Sequence, residues 1–306
     1  MSLAATIIVP TTGDRGPLLP LSVGSALAQS ERALEVLVIG DGVTDATRAV
    51  IRELAAGDPR VRFFDHPKHP RRGEEYRHAA LAGARGEIVC YLTDRDLMLP
   101  HHVATMTHLL ADAELAHTLR VSIGERDLEF VSRFDVTDPG VRRRMLACEL
   151  PIDLPLSCTA HRLDAYRRLP FGWRTTPRHW FTDQYMWHQF LAQDECRVAS
   201  SPLATVLYFK RGDHPGWPVE RRHAELQRWV ERMAEPGFAE RFQHGAVAAL
   251  ARDQGRLALA ARRRLKTRVR AMLYRSPVLG ETVLAGSLGA SFRRLWRRLI
   301  GRLEGS

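Results

Sequence analysis

The first 110 residues alternate between short apolar runs and amphipathic segments, and this alternation restricts the fold more than any other feature of the chain. Ala4–Pro10 reads as a strand, and Leu19, Leu21, Val23, Ala26 and Leu27 follow at helical spacing. A second strand, Leu34–Ile39, runs into the turn Gly40-Asp41-Gly42. A helix through Ala46, Val50, Ile51 and Leu54 comes next, then a short strand at Val61–Phe64. The pattern over Ala79–Ala84 predicts a helix broken by Gly86, ahead of a fourth strand at Glu87–Leu92. Strands joined through helices pair in parallel, and such sheets are covered on both faces. The expectation is an α/β domain with a mainly parallel central sheet and helices on both faces.

The rest of the chain divides by composition. Residues 111–215 are mixed and loop-rich, punctuated by Pro and Gly, whereas Glu220–Met233 and Phe238–Arg275 read as helices. We therefore expect a body over 1–215, in halves 1–110 and 111–215, a helical extension over 216–275 and a basic amphipathic tail over 276–306. A hydrophobic content of 45% over 306 residues suits a globular protein. No apolar run reaches the ~18 residues of a membrane span, and the N-terminus opens on a strand rather than a signal peptide. The four cysteines, Cys90, Cys148, Cys158 and Cys196, are scattered, which argues against structural zinc or a disulfide framework and suits a reducing cytoplasm. The formal charge of +10 belongs to the C-terminal end: residues 262–306 carry twelve Arg or Lys against two Glu, leaving the remainder neutral.

Chemistry-bearing residues cluster at the strand ends. Asp94 and Asp96 stand in Leu92-Thr-Asp-Arg-Asp-Leu-Met-Leu-Pro100, directly after the fourth strand. Carboxylates at the carboxyl end of a parallel strand lie where open α/β sheets bind ligands. There, one or two of them hold Mg²⁺ or Mn²⁺ against substrate phosphates. Asp41, after the second strand and flanked by glycines, is placed to accept hydrogen bonds from a base or ribose; Asp45 is better placed to cap the next helix. Phe181–Leu191 reads as a helix start with Thr182 or Asp183 as the cap.

In this order and spacing, Val9-Pro10-Thr11, Asp41-Gly-Val-Thr-Asp45, Gly73 with Arg77-His-Ala-Ala80, Leu92–Pro100 and Thr182-Asp-Gln-Tyr-Met-Trp187 resemble family 2 glycosyltransferases of the GT-A fold, over residues 4 to about 215. The resemblance implies transfer of a sugar, with inversion and metal assistance, from a nucleotide-diphosphate donor such as a UDP-sugar to an acceptor hydroxyl. It places Pro10, Thr11, Asp41, Arg77, Asp94 and Arg95 at the nucleotide-sugar and Asp94 and Asp96 at a Mn²⁺ or Mg²⁺ ion. Asp183 becomes the general base. His214, in Lys210–Trp217, becomes a third metal ligand or phosphate contact from a closing loop, against the commoner reading of a solvent-exposed histidine. The acceptor it implies is a saccharide or lipid-linked glycan.

Two departures stand out. Gly40 occupies the place of the usual first Asp after strand two, and Arg95 sits inside the acidic motif, where a guanidinium would neutralise diphosphate charge and reduce reliance on metal. They keep open a catalytically silent GT-A module that binds nucleotide-sugar or scaffolds a glycan-assembly complex. A nucleotidyltransferase is a further alternative, although Thr11-Thr-Gly-Asp-Arg-Gly16 echoes its phosphate loop only faintly. In the tail, Phe292, Leu295, Trp296, Leu299, Ile300 and Leu303 line one helical face, with arginines opposite. That pattern suits an anionic membrane surface at the inner face of the cell membrane, against the reading of a helix packed on the body. Nucleic acid is not expected, since no aromatic platform accompanies the charge.

Overall fold

The computed structural model describes residues 3–124, 128–131, 135–209 and 216–275. Its first half follows the expected alternation: β1 (Leu3–Gly13), α1 (Leu19–Leu27), β2 (Leu34–Val43), α2 (Asp45–Gly57), β3 (Val61–His66), α3 (Glu74–Ala82) and β4 (Gly86–Tyr91). There follow β5 (Leu97–Met98), α4 (His102–Leu109), β6 (Leu115–Thr118), β7 (Val121–Ile123), β8 (Leu128–Val131) and α5 (Pro139–Leu146). The remaining elements are β9 (Thr159–Arg162), α6 (Leu163–Arg167), α7 (Thr182–Leu191), β10 (Val198–Ser201), β11 (Val206–Tyr208), α8 (Val219–Met233) and α9 (Phe238–Arg275).

Seven strands form the main sheet in the order β10-β6-β9-β4-β1-β2-β3, all parallel except β9, which runs antiparallel to both β4 and β6. A smaller sheet, β5-β11-β7-β8, stands beside it. The main sheet is apolar on both faces because side chains alternate along each strand. Ile7, Val9, Val36, Val38 and Cys90 pack with α1, α2 and α4, while Ile8, Leu37, Ile39, Val89 and Tyr91 pack with α3, α6 and α7. This double burial explains the unbroken hydrophobic runs of β1 and β2.

Local details depart from the sequence reading. Helix α3 ends at Ala82, so Gly86 does not break it. Instead Gly86 opens β4 where the backbone of β1 comes so close that a Cβ would stand 2.2 Å from the Thr6 nitrogen. Thr44, not Asp45, caps α2, accepting from the Thr47 N–H at 3.3 Å, and Asp45 pairs with Arg48 in the first turn. Helix α7 is preceded by Phe181, with Thr182 and Asp183 as its first residues.

The described chain divides into units over Met1–Ala251 and Arg252–Ser306, so the expected boundary at 215 falls inside the first. Leu226 and Trp229 of α8, with Phe238, Phe242, Ala246 and Ala249 of α9, share a core with Leu97, Val121, Ile123 and Leu207 of the smaller sheet. The tail over 276–306 lies outside the described residues. Among those residues no helix is long and apolar enough to cross a membrane.

Candidate active site

The sheet order places β2 and β3 on one side of β1 and β4 on the other. A crevice therefore opens at the carboxyl ends of β1 and β4, the position where open α/β sheets bind their ligands. Thr11 lies near the end of β1 and Asp94 follows β4; the Thr11 hydroxyl donates to Asp94 Oδ2 at 3.0 Å, and Arg15 Nη1 lies 3.3 Å from Asp94 Oδ1. Pro10 pairs with Ile39 of β2 one position before, leading Thr11 into the crevice.

Asp96 points elsewhere. It is 0% exposed; Ser157 donates to Oδ2 at 2.5 Å and the Phe209 N–H to Oδ1 at 2.8 Å. Ser157 in turn accepts from the Thr93 N–H at 3.0 Å, and Arg95 Nε donates to the Phe209 carbonyl at 3.0 Å. Burial pushes the Asp96 carboxyl up, against the opposing pull of Arg95, Ser157 and the Phe209 N–H. Asp96 and Arg95 thus fasten the end of β11 to the turn after β4. Nη1 of Arg95 lies 3.7 Å from Asp94 Oδ1.

Asp41, at the end of β2, accepts from the His69 N–H at 2.6 Å and pairs with Lys68. Gly42 permits this close approach: its φ is +62°, and a Cβ there would stand 2.5 Å from that of Lys68. Arg77, on α3, is buried with its guanidinium 4.8 Å from the Trp173 ring and donates from Nη2 to the Arg72 carbonyl at 2.8 Å. Burial pushes its guanidinium down, opposed by Glu74, Tyr91, Asp183 and Asp41. Arg77 is therefore held in place by the Trp173 ring and the Arg72 carbonyl.

Asp183 accepts from the Gln184 N–H at 3.1 Å at the start of α7. Burial pushes its carboxyl up, against the helix-start N–H groups, Arg72 and Arg77. Thr182, beside Asp183, donates to Glu74 Oε1 at 3.4 Å, and a Cβ on Gly73, beside Glu74, would stand 3.2 Å from the Asp41 side chain, so the start of α3 ties the start of α7 to Asp41. His214 lies outside the described residues. His102 and His161 belong to the core: burial pushes them to about 3 and about 4, and they bond to Thr205 and to Tyr91.

The arrangement does not fit the two-carboxylate ion site expected at Asp94 and Asp96. Both Asp96 oxygens already accept hydrogen bonds away from solvent, and Asp94 Oδ1 has two guanidiniums within 4 Å. Among the described residues no three His, Cys, Asp or Glu side chains gather as a metal-binding group. Arg15, Lys68, Ser157, Tyr208 and Arg222 were not singled out from the sequence. Of these only Arg15 had a local signal, its place in the loop that faintly echoes a phosphate loop.

Sheet order, crevice and acids together define the GT-A fold of nucleotide-diphospho-sugar transferases. The chain belongs to the Glycosyl transferase family 2, whose profile matches residues 6–164. A curated relative, the GalNAc(5)-diNAcBac-PP-undecaprenol beta-1,3-glucosyltransferase of Campylobacter jejuni, is 30% identical over 101 residues, which span 33% of this chain and 32% of the relative. Among solved structures, the mannosyltransferase PcManGT from Pyrobaculum calidifontis, in complex with GDP-Man and Mn²⁺, is 22% identical. The alignment covers 99% of this chain and 85% of that one, with a TM-score of 0.51. S. aureus TarS 1–349 in complex with UDP-GlcNAc is 14% identical, over 80% of this chain and 72% of that one, with a TM-score of 0.54. At these identities the structures establish the shared fold.

Proposed function

We propose that the protein transfers a sugar from a nucleotide-diphosphate donor to an acceptor hydroxyl with inversion, with Asp183 as general base. The observation that supports this reading is the Asp183 carboxylate, shielded at the start of α7, which Glu74 and Gly73 at the start of α3 tie to Asp41. Asp41 and its glycine-flanked turn receive the base, and Thr11 and Asp94 face the ribose and diphosphate. The acceptor oxygen attacks the anomeric carbon from the Asp183 side. Its proton passes to an Asp183 oxygen as the C–O bond to the diphosphate breaks, and the bond pair leaves with the nucleoside diphosphate. A carboxyl raised by burial is a better match to an alcohol that becomes acidic late in the transition state. Mn²⁺ or Mg²⁺ enters no step, because the donor set does not fit it.

The donor class proposed is a UDP-sugar. The proposed setting is assembly of a surface glycan or lipid-linked saccharide on the cytoplasmic side, with the basic tail at the membrane surface. The relative acting on an undecaprenol-linked saccharide supports that setting. Incubation with a panel of UDP-, GDP- and dTDP-sugars, with anomeric configuration read by NMR, tests the reading. A β-linked product from an α-linked donor is expected, and Asp183→Asn should abolish it. Retained configuration would remove the single displacement, and binding without any turnover would favour the silent module.

A further inference from the structure

We propose that Glu74, at the start of α3, is a positioning residue that fixes the start of α7, and with it the Asp183 carboxylate, against the loop that holds Asp41. The inference rests on the reading of Asp183 as general base and names what keeps that base in register with the donor.

Glu74 is 0% exposed, and donors from three separate segments meet on its carboxylate. Oε2 accepts from the Arg72 N–H at 3.0 Å, and Oε1 accepts from the Thr176 N–H and the Thr182 hydroxyl, each at 3.4 Å. Thr182 is buried and opens α7 one residue before Asp183. On the donor side, His69 Nδ1 stands 3.8 Å from Glu74 Oε2, and the His69 N–H is the group that donates to Asp41. Gly73, with a φ of +63°, turns the chain into α3 so near Asp41 that a Cβ there would stand 3.2 Å from the Asp41 side chain. Two further bonds lay residues 175–182 along this loop. Thr175 donates to Glu75 Oε1 at 2.8 Å, and Arg71 Nη2 donates to the Pro177 carbonyl at 3.4 Å.

A carboxylate out of water stays ionised only where donors replace its hydration. Burial pushes the Glu74 carboxyl up, but the N–H groups of Glu74 and Arg72, the contact with Thr176 and the charge of Arg77 together bring it below the ordinary range. Ionised oxygens only accept, so the surrounding donors are drawn to one point. An acid that served only to favour the helix start could stay at the surface, as Glu75 does in the same first turn. Glu74 instead joins α7 to the Asp41 loop. A general base must stay within hydrogen-bond reach of the hydroxyl it deprotonates, and a displacement of about 1 Å can cost about 10²-fold in rate.

The test compares, in the full chain, Thr182→Val, which keeps the shape and loses the hydroxyl, with Thr182→Ser, which keeps the hydroxyl. The Asp183 carboxyl is followed by carbon NMR titration of aspartate-labelled protein, its signal assigned by its loss in Asp183→Asn. In Thr182→Val the carboxyl is expected to gain water and titrate closer to the ordinary carboxylate range, and in Thr182→Ser to titrate as in the wild type. With whichever sugar nucleotide of the donor panel turns over, Thr182→Val should lower kcat about 10- to 100-fold with donor KM kept, and Thr182→Ser should recover most of it. Glu74→Gln should lower kcat and also raise donor KM, because it loosens both sides; if it unfolds, the Thr182 pair decides. An Asp183 titration or a kcat in Thr182→Val equal to that of the wild type would overturn the anchor and leave the transferase reading intact. A wild type that turns over no donor would strike the transferase reading instead, and the titration alone then decides the anchor.

Discussion

Asp183 joins two properties that pull in opposite directions, a carboxylate partly withdrawn from water and a position where it must ionise to act as the proposed base. Its raised pKa places the acid limb of kcat/KM above the ordinary carboxylate range near pH 4, and a pH–rate profile checks this. Asp183→Asn should lower kcat about 10²- to 10⁴-fold with donor affinity kept. The same substitution should raise Tm at neutral pH. The unfolded chain ionises this carboxyl at lower pH than the folded one, so stability falls as pH rises between the two values. Asparagine escapes that loss, and the advantage should vanish in acid, below both values. Asp96→Ala, by contrast, should cost about 1–3 kcal/mol by leaving the Phe209 N–H and the Ser157 hydroxyl without an acceptor. Unfolding titrations separate the two variants. The places of Asp41, Asp94 and Asp183 in the fold were legible in sequence, because each stands near a strand end or opens a helix within a spaced motif. Asp94 and Asp96 could not be told apart there, since the chain turns after β4 and alternation no longer assigns a face. Ser157 and Arg222 gave no signal, because their partners are 61 or more residues away in the first case and set by helix packing in the second.

Elements were easier to foresee than their ends. Periodicity located β1, β2, α2 and β4, whereas caps depend on single side chains, and Thr44 displaced Asp45 as the cap of α2. Gly86 was read as a helix breaker because a lone glycine between a helical and a strand pattern gives no hint of a backbone passing 2.2 Å from its missing Cβ. Gly86→Ala should therefore cost about 1–3 kcal/mol or more by forcing β4 from β1, measured by chemical denaturation. At the far end of α7, Arg142 reaches across from α5 and donates to the carbonyls of Leu191, Gln193 and Cys196 at 2.8, 2.6 and 2.9 Å. Arg142→Ala should loosen the segment after α7 and lower stability by about 1–3 kcal/mol, with faster amide exchange confined to that end of the helix.

Across the whole molecule, the mainly parallel sheet was legible and the second sheet was not. Its strands are short, and β5 has only two residues, too few for a period to show. Nor did the sequence reveal that α8 and the start of α9 complete the core of that sheet, because amphipathic helices of this kind also suit a separate extension. The tail at 276–306 joins an apolar helical face to five arginines, next to the basic run that ends at Arg275. A chain ending at 275 should keep transfer to a soluble acceptor and lose sedimentation with phosphatidylserine vesicles; undiminished sedimentation would move the membrane contact elsewhere.

The peptide group of Phe209 is gripped from both sides, its N–H by the carboxylate of Asp96 and its carbonyl by Arg95. In the proposed reading one side chain of that grip, Arg95, also meets the leaving diphosphate. Deuterium uptake at this amide should therefore slow when the donor is seated, giving an internal gauge of occupancy that needs no turnover.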